Sequence, residues 1–381
     1  MKVAIVGPVY PYRGGIAHYT TLLAQAFARQ HETRVFSFRS QYPSWLYPGQ
    51  SDRDPSQEPL RVAAEYTLSP LAPWTWLQAE RQIARWQPDL VVAAWWTTFW
   101  APALGMLAFG LRRRGIPLVF LIHNVLPHET RPWDAPLARF ALGQGRYFLV
   151  QTGREQERLA ALLPGRQAVV APHPVYDMFA GQRLPKAEAR RKLGLPEERP
   201  VVLFFGIVRP YKGLGCLVEA IARLKEQGQP LTLLAAGEFW EDPAVYQEQI
   251  ERLGLAGQVR LENRYIPNEE VGVFFSAADV FAAPYLHGTT SGAVKLALGF
   301  DLPVALTRDI ADPALLERPG RVSIVPPNDP AALAQAIAGL LQAAAGAGPG
   351  SAAAQGESWE DLVNRITRLG AWKVFQAPGA P

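Results

Sequence analysis

Short apolar runs recur along the chain, each followed by a longer stretch with apolar residues at three- and four-residue spacing. This alternation is the signature of βαβ units and parallel sheets. In the first half the runs predict strands at Val3–Val6, Arg34–Phe38, Leu90–Ala94, Leu118–His123, Tyr147–Gln151 and Ala168–Ala171. In the second half they predict strands at Val201–Phe205, Leu231–Ala236, Val259–Glu262, Val280–Ala283, Val304–Thr307 and Val322–Val325. Helical spacing predicts helices over Tyr19–Arg29, Trp76–Arg85, Pro102–Arg114, Leu214–Gln227, Val245–Leu253 and Pro330–Ala344, and a last one over Trp359–Leu369. The charged stretch Leu184–Arg199 separates the halves, with the boundary expected near Pro196–Pro200. Residues 1–190 are expected as one α/β domain, 200–350 as a second, and 356–375 as a terminal helical segment. The Gly/Ala-rich run Ala344–Glu357 reads as a flexible linker.

Two strand-to-helix junctions carry candidate chemistry. Phe281–Tyr285 ends a strand; Thr289, Thr290, Ser291 and Gly292 follow, and then an apolar run opens a helix. The first turn of such a helix has unpaired N–H groups and the positive end of the dipole, which suits an anion. Phe204–Gly213 is a second junction, and it brings Arg209 and Lys212. Cations are disfavoured near a helix start, so two of them there point to a diphosphate. Ser291 is equally an N-cap, and the two roles are compatible. A third junction, Gly7–Gly15, ends in Gly14 and Gly15, which leave backbone open to a ligand. It lacks the G-x-G-x-x-G dinucleotide fingerprint, which counts against a nicotinamide or flavin enzyme.

The 381 residues exceed one ordinary core. Apolar residues make up 49% and charged residues 19%, a globular balance. A formal charge of +4 does not by itself argue for nucleic acid. With one cysteine, Cys216, no internal disulfide can form, and a reducing compartment is expected. The N-terminus reads as a strand and not as a signal peptide, and no run is long enough to span a bilayer. Asp52-Arg53-Asp54 has the spacing of a metal-binding carboxylate pair, but it lies in loop sequence and not after a strand; no metal is expected.

These motifs, in this order, resemble the GT-B fold glycosyltransferases, and among them the large retaining family 4 of bacterial group 1 type. The resemblance runs through Gly14-Gly15, Ile122–Glu129, Pro172–Asp177, Gly206–Gly213, Gly237-Glu238-Phe239, Arg264–Val271, Thr289–Gly292 and Val325–Pro330. It implies two Rossmann-like parallel-sheet domains facing across a cleft, with a C-terminal helix crossing back to the first and Trp359 anchoring it. The first domain then takes a glycan or lipid-linked acceptor and the second a nucleotide-sugar. Transfer would retain anomeric configuration without metal or resident cofactor. By resemblance, His123, Arg209 and Lys212 are the catalytic set. Gly14, Gly15, Gly206, Glu238, Tyr265, Ile266 and the Thr289-Thr290-Ser291-Gly292 turn meet the donor. Asn124, His128, Glu129 and Trp96 lie on the acceptor side.

One departure stands out. Most of the family carries two glutamates eight residues apart at this turn, the second holding the nucleotide ribose; Gly288 and Leu296 occupy those places here. The turn resembles a sub-branch with Gln, Ser and Gly at this point.

Eight of the eleven tryptophans lie in the first half, and the Trp95–Trp100 segment follows a strand where aromatic faces suit sugars or lipid chains. Arg112-Arg113-Arg114 and Arg190-Arg191-Lys192 could meet anionic head groups or simply end helices on a solvated face. The expected setting is cytoplasmic, at the inner face of a bacterial membrane, in surface polysaccharide or glycolipid assembly, with peripheral membrane contact as one option and no nucleic acid. The rival readings are a non-catalytic descendant that binds a nucleotide-sugar or a partner protein, and another GT-B enzyme such as a sugar-nucleotide epimerase.

Overall fold

The computed structural model describes residues 1–47, 49–127, 129–311, 321–346 and 357–371. The chain forms two compact units, Met1–Asp54 with Pro59–Pro174 and the segment from Glu357, and Pro55–Glu58 with Val175–Gly356.

The first unit is built on a parallel sheet of seven strands. They are β1 (Lys2–Val6), β2 (Glu32–Phe38), β3 (Glu65–Leu68), β4 (Leu90–Trp95), β5 (Leu118–Ile122), β6 (Tyr147–Val150) and β7 (Val169–Val170), in the order β3-β2-β1-β4-β5-β6-β7. Strands buried on both faces read as unbroken apolar runs, as Leu90–Trp95 does. One face is covered by α2 (Pro73–Trp86), α3 (Ala101–Arg113), α4 (Asp134–Leu142) and α5 (Gly153–Leu162), which bury Ile83, Leu104, Leu142 and Leu159 with Val91, Ala93 and Phe120. The other face is covered by α1 (Gly15–Ala28) and the C-terminal α12 (Trp359–Ala371). Leu362, Val363 and Ile366 of α12 form a stripe of helical spacing packed with Val92 and Leu121. Each such side chain contributes about 1.5–3 kcal/mol when fully buried. That face holds the last helix on the first unit, although the second unit comes between them in sequence.

The second unit has six parallel strands: β8 (Val201–Phe205), β9 (Thr232–Ala236), β10 (Val259–Glu262), β11 (Val280–Ala283), β12 (Val304–Thr307) and β13 (Val322–Val325), in the order β10-β9-β8-β11-β12-β13. Its helices are α6 (Lys186–Lys192), α7 (Leu214–Glu226), α8 (Ala244–Arg252), α9 (Asn268–Ala277), α10 (Gly292–Gly299) and α11 (Pro330–Gly346).

The structure adds α4, α5 and α9 to the expected helices and differs from the sequence reading elsewhere. β3 was not expected; it is a four-residue edge strand inside Pro-rich sequence, too short to show a period. The division falls between Pro174 and Val175, not near Pro196–Pro200. The charged stretch is not a separator, because α6 packs on α9, and Arg190 is buried with its Nε donating to the Ala277 carbonyl at 3.1 Å and its guanidinium paired with Asp279. Arg191 and Lys192 pair with Glu197 and Glu188, so this basic run is spent inside its own unit. The linker expected over Ala344–Glu357 lies largely outside the described residues.

Candidate active site

Both sheets reverse their winding direction once, and ligands of open α/β sheets bind at the carboxyl ends of the strands flanking that reversal. In the second unit the flanking strands are β8 and β11. Their following loops are Gly206–Gly213 and Pro284–Ser291, the two stretches that carry the candidate donor residues.

The two loops are tied together. Leu286 N–H donates to the Tyr211 carbonyl at 2.7 Å, and the Tyr211 ring lies edge-on to Tyr285 at 6.0 Å. Gly213 has φ +72°, and a Cβ there would stand 2.1 Å from the Pro284 carbonyl oxygen. Only glycine lets the β8 loop pass this close. A similar approach joins β8 to β9: Gly237 has φ +151°, and a Cβ on it would stand 2.0 Å from the Gly206 carbonyl oxygen.

Arg209 precedes a single 3₁₀ turn, Pro210–Lys212, and Lys212 ends it. The Arg209 guanidinium lies 5.6 Å from the Trp240 ring and 5.7 Å from that of Tyr211. Lys212 Nζ lies 5.5 Å from the Tyr285 ring, and a Cβ on Gly206 would come within 3.4 Å of it. Burial pulls the Lys212 ammonium below the usual lysine range, and the Arg209 cation adds to this against an opposing pull from Tyr211. An anion placed beside the pair would reverse that cost.

Ser291 caps α10: its Oγ accepts from Val294 N–H at 3.3 Å and lies 3.0 Å from the Tyr285 hydroxyl. Burial pushes the Tyr285 phenol up to about 12, so it stays protonated at neutral pH. Thr289 is buried, Thr290 half-buried, and Gly292 faces Tyr176, whose ring a Cβ would meet at 3.2 Å. Glu238, buried after β9, accepts from Trp240 Nε1 at 3.0 Å and so shares a neighbour with Arg209. Tyr265 and Ile266 follow β10, the former half-buried and the latter buried. The structure therefore groups Gly206, Arg209, Lys212, Glu238 and Ser291–Gly292 around one reversal point, with Tyr265 and Ile266 further along the same strand ends.

The places of the two family glutamates are closed. A Cβ on Gly288 would meet Ile310 Cγ2 at 2.7 Å, and Leu296 is buried in α10.

In the first unit the reversal lies between β1 and β4. The loop after β1 carries Gly14 (φ +98°) and Gly15; a Cβ on either would have nothing within 4 Å. Asp52 and Asp54 hold this loop: Arg13 N–H donates to the Asp52 carbonyl at 3.0 Å and Asp54 N–H to that of Pro11 at 2.9 Å. The Asp54 carboxylate lies 4.0 Å from His18 Nε2. Among the described residues no three His, Cys, Asp or Glu side chains gather as a metal site would need.

His123 follows β5, and its N–H donates to the Trp95 carbonyl at 2.8 Å. The ring is 5% exposed. Gln151 Nε2 donates to Nδ1 at 3.0 Å, which leaves the proton on Nε2. Nε2 is buried and has no hydrogen-bond partner among the described residues. Burial depresses the His123 pKa to about 3, so the ring is neutral at physiological pH. Sequence reasoning missed what encloses it: Tyr19 packs edge-on against His123 (4.7 Å), His173 (4.8 Å) and Trp359 of α12 (5.0 Å). The aromatic residue at the interior face of α1 was the available signal. Asn124 is half-buried beside His123, and Glu129 is exposed. His128 lies outside the described residues. Trp96 is half-buried, its Nε1 donating to the Tyr42 hydroxyl at 3.0 Å.

Two doubly wound parallel sheets in tandem, with a cationic strand-end cradle on the second and a C-terminal helix returned to the first, define the GT-B class. Family models agree: "Glycosyltransferase Family 4" matches residues 13–177 and "Glycosyl transferases group 1" matches residues 199–343. The chain belongs to this family of GT-B glycosyltransferases. It is similar to a 2-deoxystreptamine glucosyltransferase of Streptomyces kanamyceticus, 27% identical over 263 residues, 63% of this chain and 66% of that protein. It is also similar to D-inositol 3-phosphate glycosyltransferase 1 of Catenulispora acidiphila, 29% identical over 310 residues, 71% and 70% of the two chains. The chain thus spans just under two thirds of the first relative's length. Among solved structures, Anabaena HepE in complex with UDP matches with a TM-score of 0.68 at 17% identity, over 98% of this chain and 99% of that one. A glycosyltransferase from Rickettsia africae matches with 0.70 at 14% identity, over 99% of each.

Proposed function

We propose that this chain moves a hexosyl group from a nucleotide-sugar to a glycan or glycolipid hydroxyl with retention of configuration and without a metal. The observation that carries the reading is the cradle made by Arg209, Lys212 and the Ser291-capped start of α10, held as one piece by the Tyr211–Leu286 hydrogen bond. Breaking the sugar C1–O bond leaves charge on the diphosphate. Fixed cations and helix N–H groups aimed at that charge lower the barrier. The acceptor oxygen forms the new bond to C1, and its proton passes to the departing phosphate oxygen. No protein base is then required. In this reading Glu238, Tyr265 and Ile266 face the donor nucleotide, and Gly206 keeps room beside Lys212. Gly14, Gly15, His123, Asn124, Glu129 and Trp96 act from the first unit. Anabaena HepE has been solved with UDP and UDP-glucose, which makes UDP-glucose the first donor to try.

Proton NMR of donor turnover in EDTA tests the reading without knowledge of the acceptor. Slow hydrolysis should release the nucleoside diphosphate and the sugar first as the α-anomer. A β-anomer first would contradict retention. A donor that is bound but never cleaved, with any acceptor, would favour the non-catalytic reading, which the closed positions at Gly288 and Leu296 motivate.

A further inference from the structure

The outward side of the α2–α3–α4 layer has an unusual composition. These three helices contain the carboxylates Glu80 and Asp134 only, and both are buried. Glu80 accepts from Arg114 Nε at 2.6 Å, and Asp134 accepts from Arg131 N–H at 2.6 Å and from Thr98. No negative charge from these helices is left to face outward. The exposed positions carry arginine instead, in rows with apolar side chains. On α2, Trp74, Leu77, Arg81 and Arg85 fall on one helical stripe and are all exposed. On α3, Arg112 and Arg113 lie 5.6 and 5.8 Å from the exposed Phe109 ring. Phe140 of α4 lies over Gly105, one turn before Phe109, and Trp133 lies two turns before Phe140.

Trp74 is 68% exposed and Trp133 54%. By contrast, Val245 is the one large apolar side chain that the second unit exposes among the described residues. The apolar exposure is therefore a property of one unit and is interleaved there with unopposed cations.

We infer that this face binds an anionic lipid surface. Tryptophan and phenylalanine sit well at the headgroup boundary, and each arginine near an anionic leaflet adds to the attraction. A polyanion such as RNA would use the arginines, and its bases can stack on tryptophan, but the exposed Leu77 and Leu71 add nothing to that binding, whereas the headgroup–acyl boundary takes them up. No described helix is long and apolar enough to cross a membrane, so attachment would be peripheral. The inference deepens the proposed function, since a lipid-linked acceptor would itself be held in such a surface, but it can fail separately.

The test is sedimentation of the full chain with vesicles of phosphatidylcholine, alone or mixed with phosphatidylglycerol. Binding is expected only to the mixed vesicles and should weaken with salt. The triple variant Arg81→Glu/Arg112→Glu/Arg113→Glu should bind about a hundredfold more weakly. Trp74→Ser/Phe140→Ser, read by the same assay, carries the test if the triple variant does not fold. Absence of binding to mixed vesicles, equal binding by folded variants, or binding to RNA in place of vesicles would overturn the inference. Donor hydrolysis in vesicle-free solution should be unchanged in both variants; its absence in the parent protein would count against transfer and not against this face.

Discussion

Leu286 N–H and the Tyr211 carbonyl, 2.7 Å apart, join the loop that carries Arg209 and Lys212 to the loop that ends in Ser291. The bond needs the β8 loop to turn at Gly213, where φ is +72° and Pro284 leaves no space for a Cβ. Gly213→Ala should therefore destabilise the protein by about 1–3 kcal/mol, through a strained left-handed residue and a displaced loop. Calorimetry with and without nucleotide checks it: the melting temperature should fall, and nucleoside diphosphate affinity should fall with it.

Removing one well-aimed charge donor typically costs ~3–4 kcal/mol of transition-state stabilisation. Arg209→Ala should lower donor turnover about a hundred- to a thousandfold while leaving the melting temperature of the free protein within about a degree or two, because the side chain is half-buried at a loop. Steady-state kinetics would show the loss in kcat/KM.

Lys212 gives a pH signature. Its folded pKa is lowered by burial and then by Arg209, while a bound diphosphate favours the ammonium form. Binding should then take up protons at alkaline pH, and affinity should fall as pH rises, beginning below the usual lysine range. Lys212→Arg stays charged and should flatten the profile. Isothermal titration in buffers of different ionisation enthalpy reads both.

His123 gives the opposite test, on stability. Its pKa is about 3 in the folded protein against an ordinary 6.5, so the unfolded chain binds more protons between those values. Above pH 6.5 this residue has no pH effect; below it, stability drains away until about pH 3. His123→Phe, which keeps a ring against Tyr19, should show a shallower loss from pH 6.5 to 4 in urea denaturation. Equal slopes would mean the ring is not buried as described.

Restoring the family carboxylate should fail. Gly288→Glu places a side chain against Ile310, an overpacking that costs about 1–3 kcal/mol, and it should not raise nucleotide affinity. A gain in affinity without loss of stability would show that the position is open after all.

Much of this was legible in the chain. The boundaries of β8, β10, β11, β12 and β13 coincide with the predicted runs; β8, β11 and β12 are buried and read as unbroken apolar stretches, while β10 and β13, at the sheet edges, are only half-buried. The grouping of Arg209 and Lys212 with the Ser291 turn was legible too, since these residues sit at strand ends that any doubly wound sheet brings together. What escaped depends on partners distant in sequence. Arg190 looked like a solvated charge, and Asp279 is what buries it. Tyr19 looked like one apolar helix position, and its contacts to His123 and Trp359 come from two other elements. β3 escaped for a local reason: four residues at a sheet edge carry no period.

The most direct test of the donor site is the melting temperature measured in EDTA across nucleoside diphosphates and their sugars, for the parent protein and Arg209→Ala. Ligand that binds only the folded state raises it by mass action. The account predicts a clear rise with one nucleotide family, UDP and UDP-glucose tried first, and its loss in the variant. No rise with any nucleotide on well-folded protein, or an equal rise in Arg209→Ala, would contradict it.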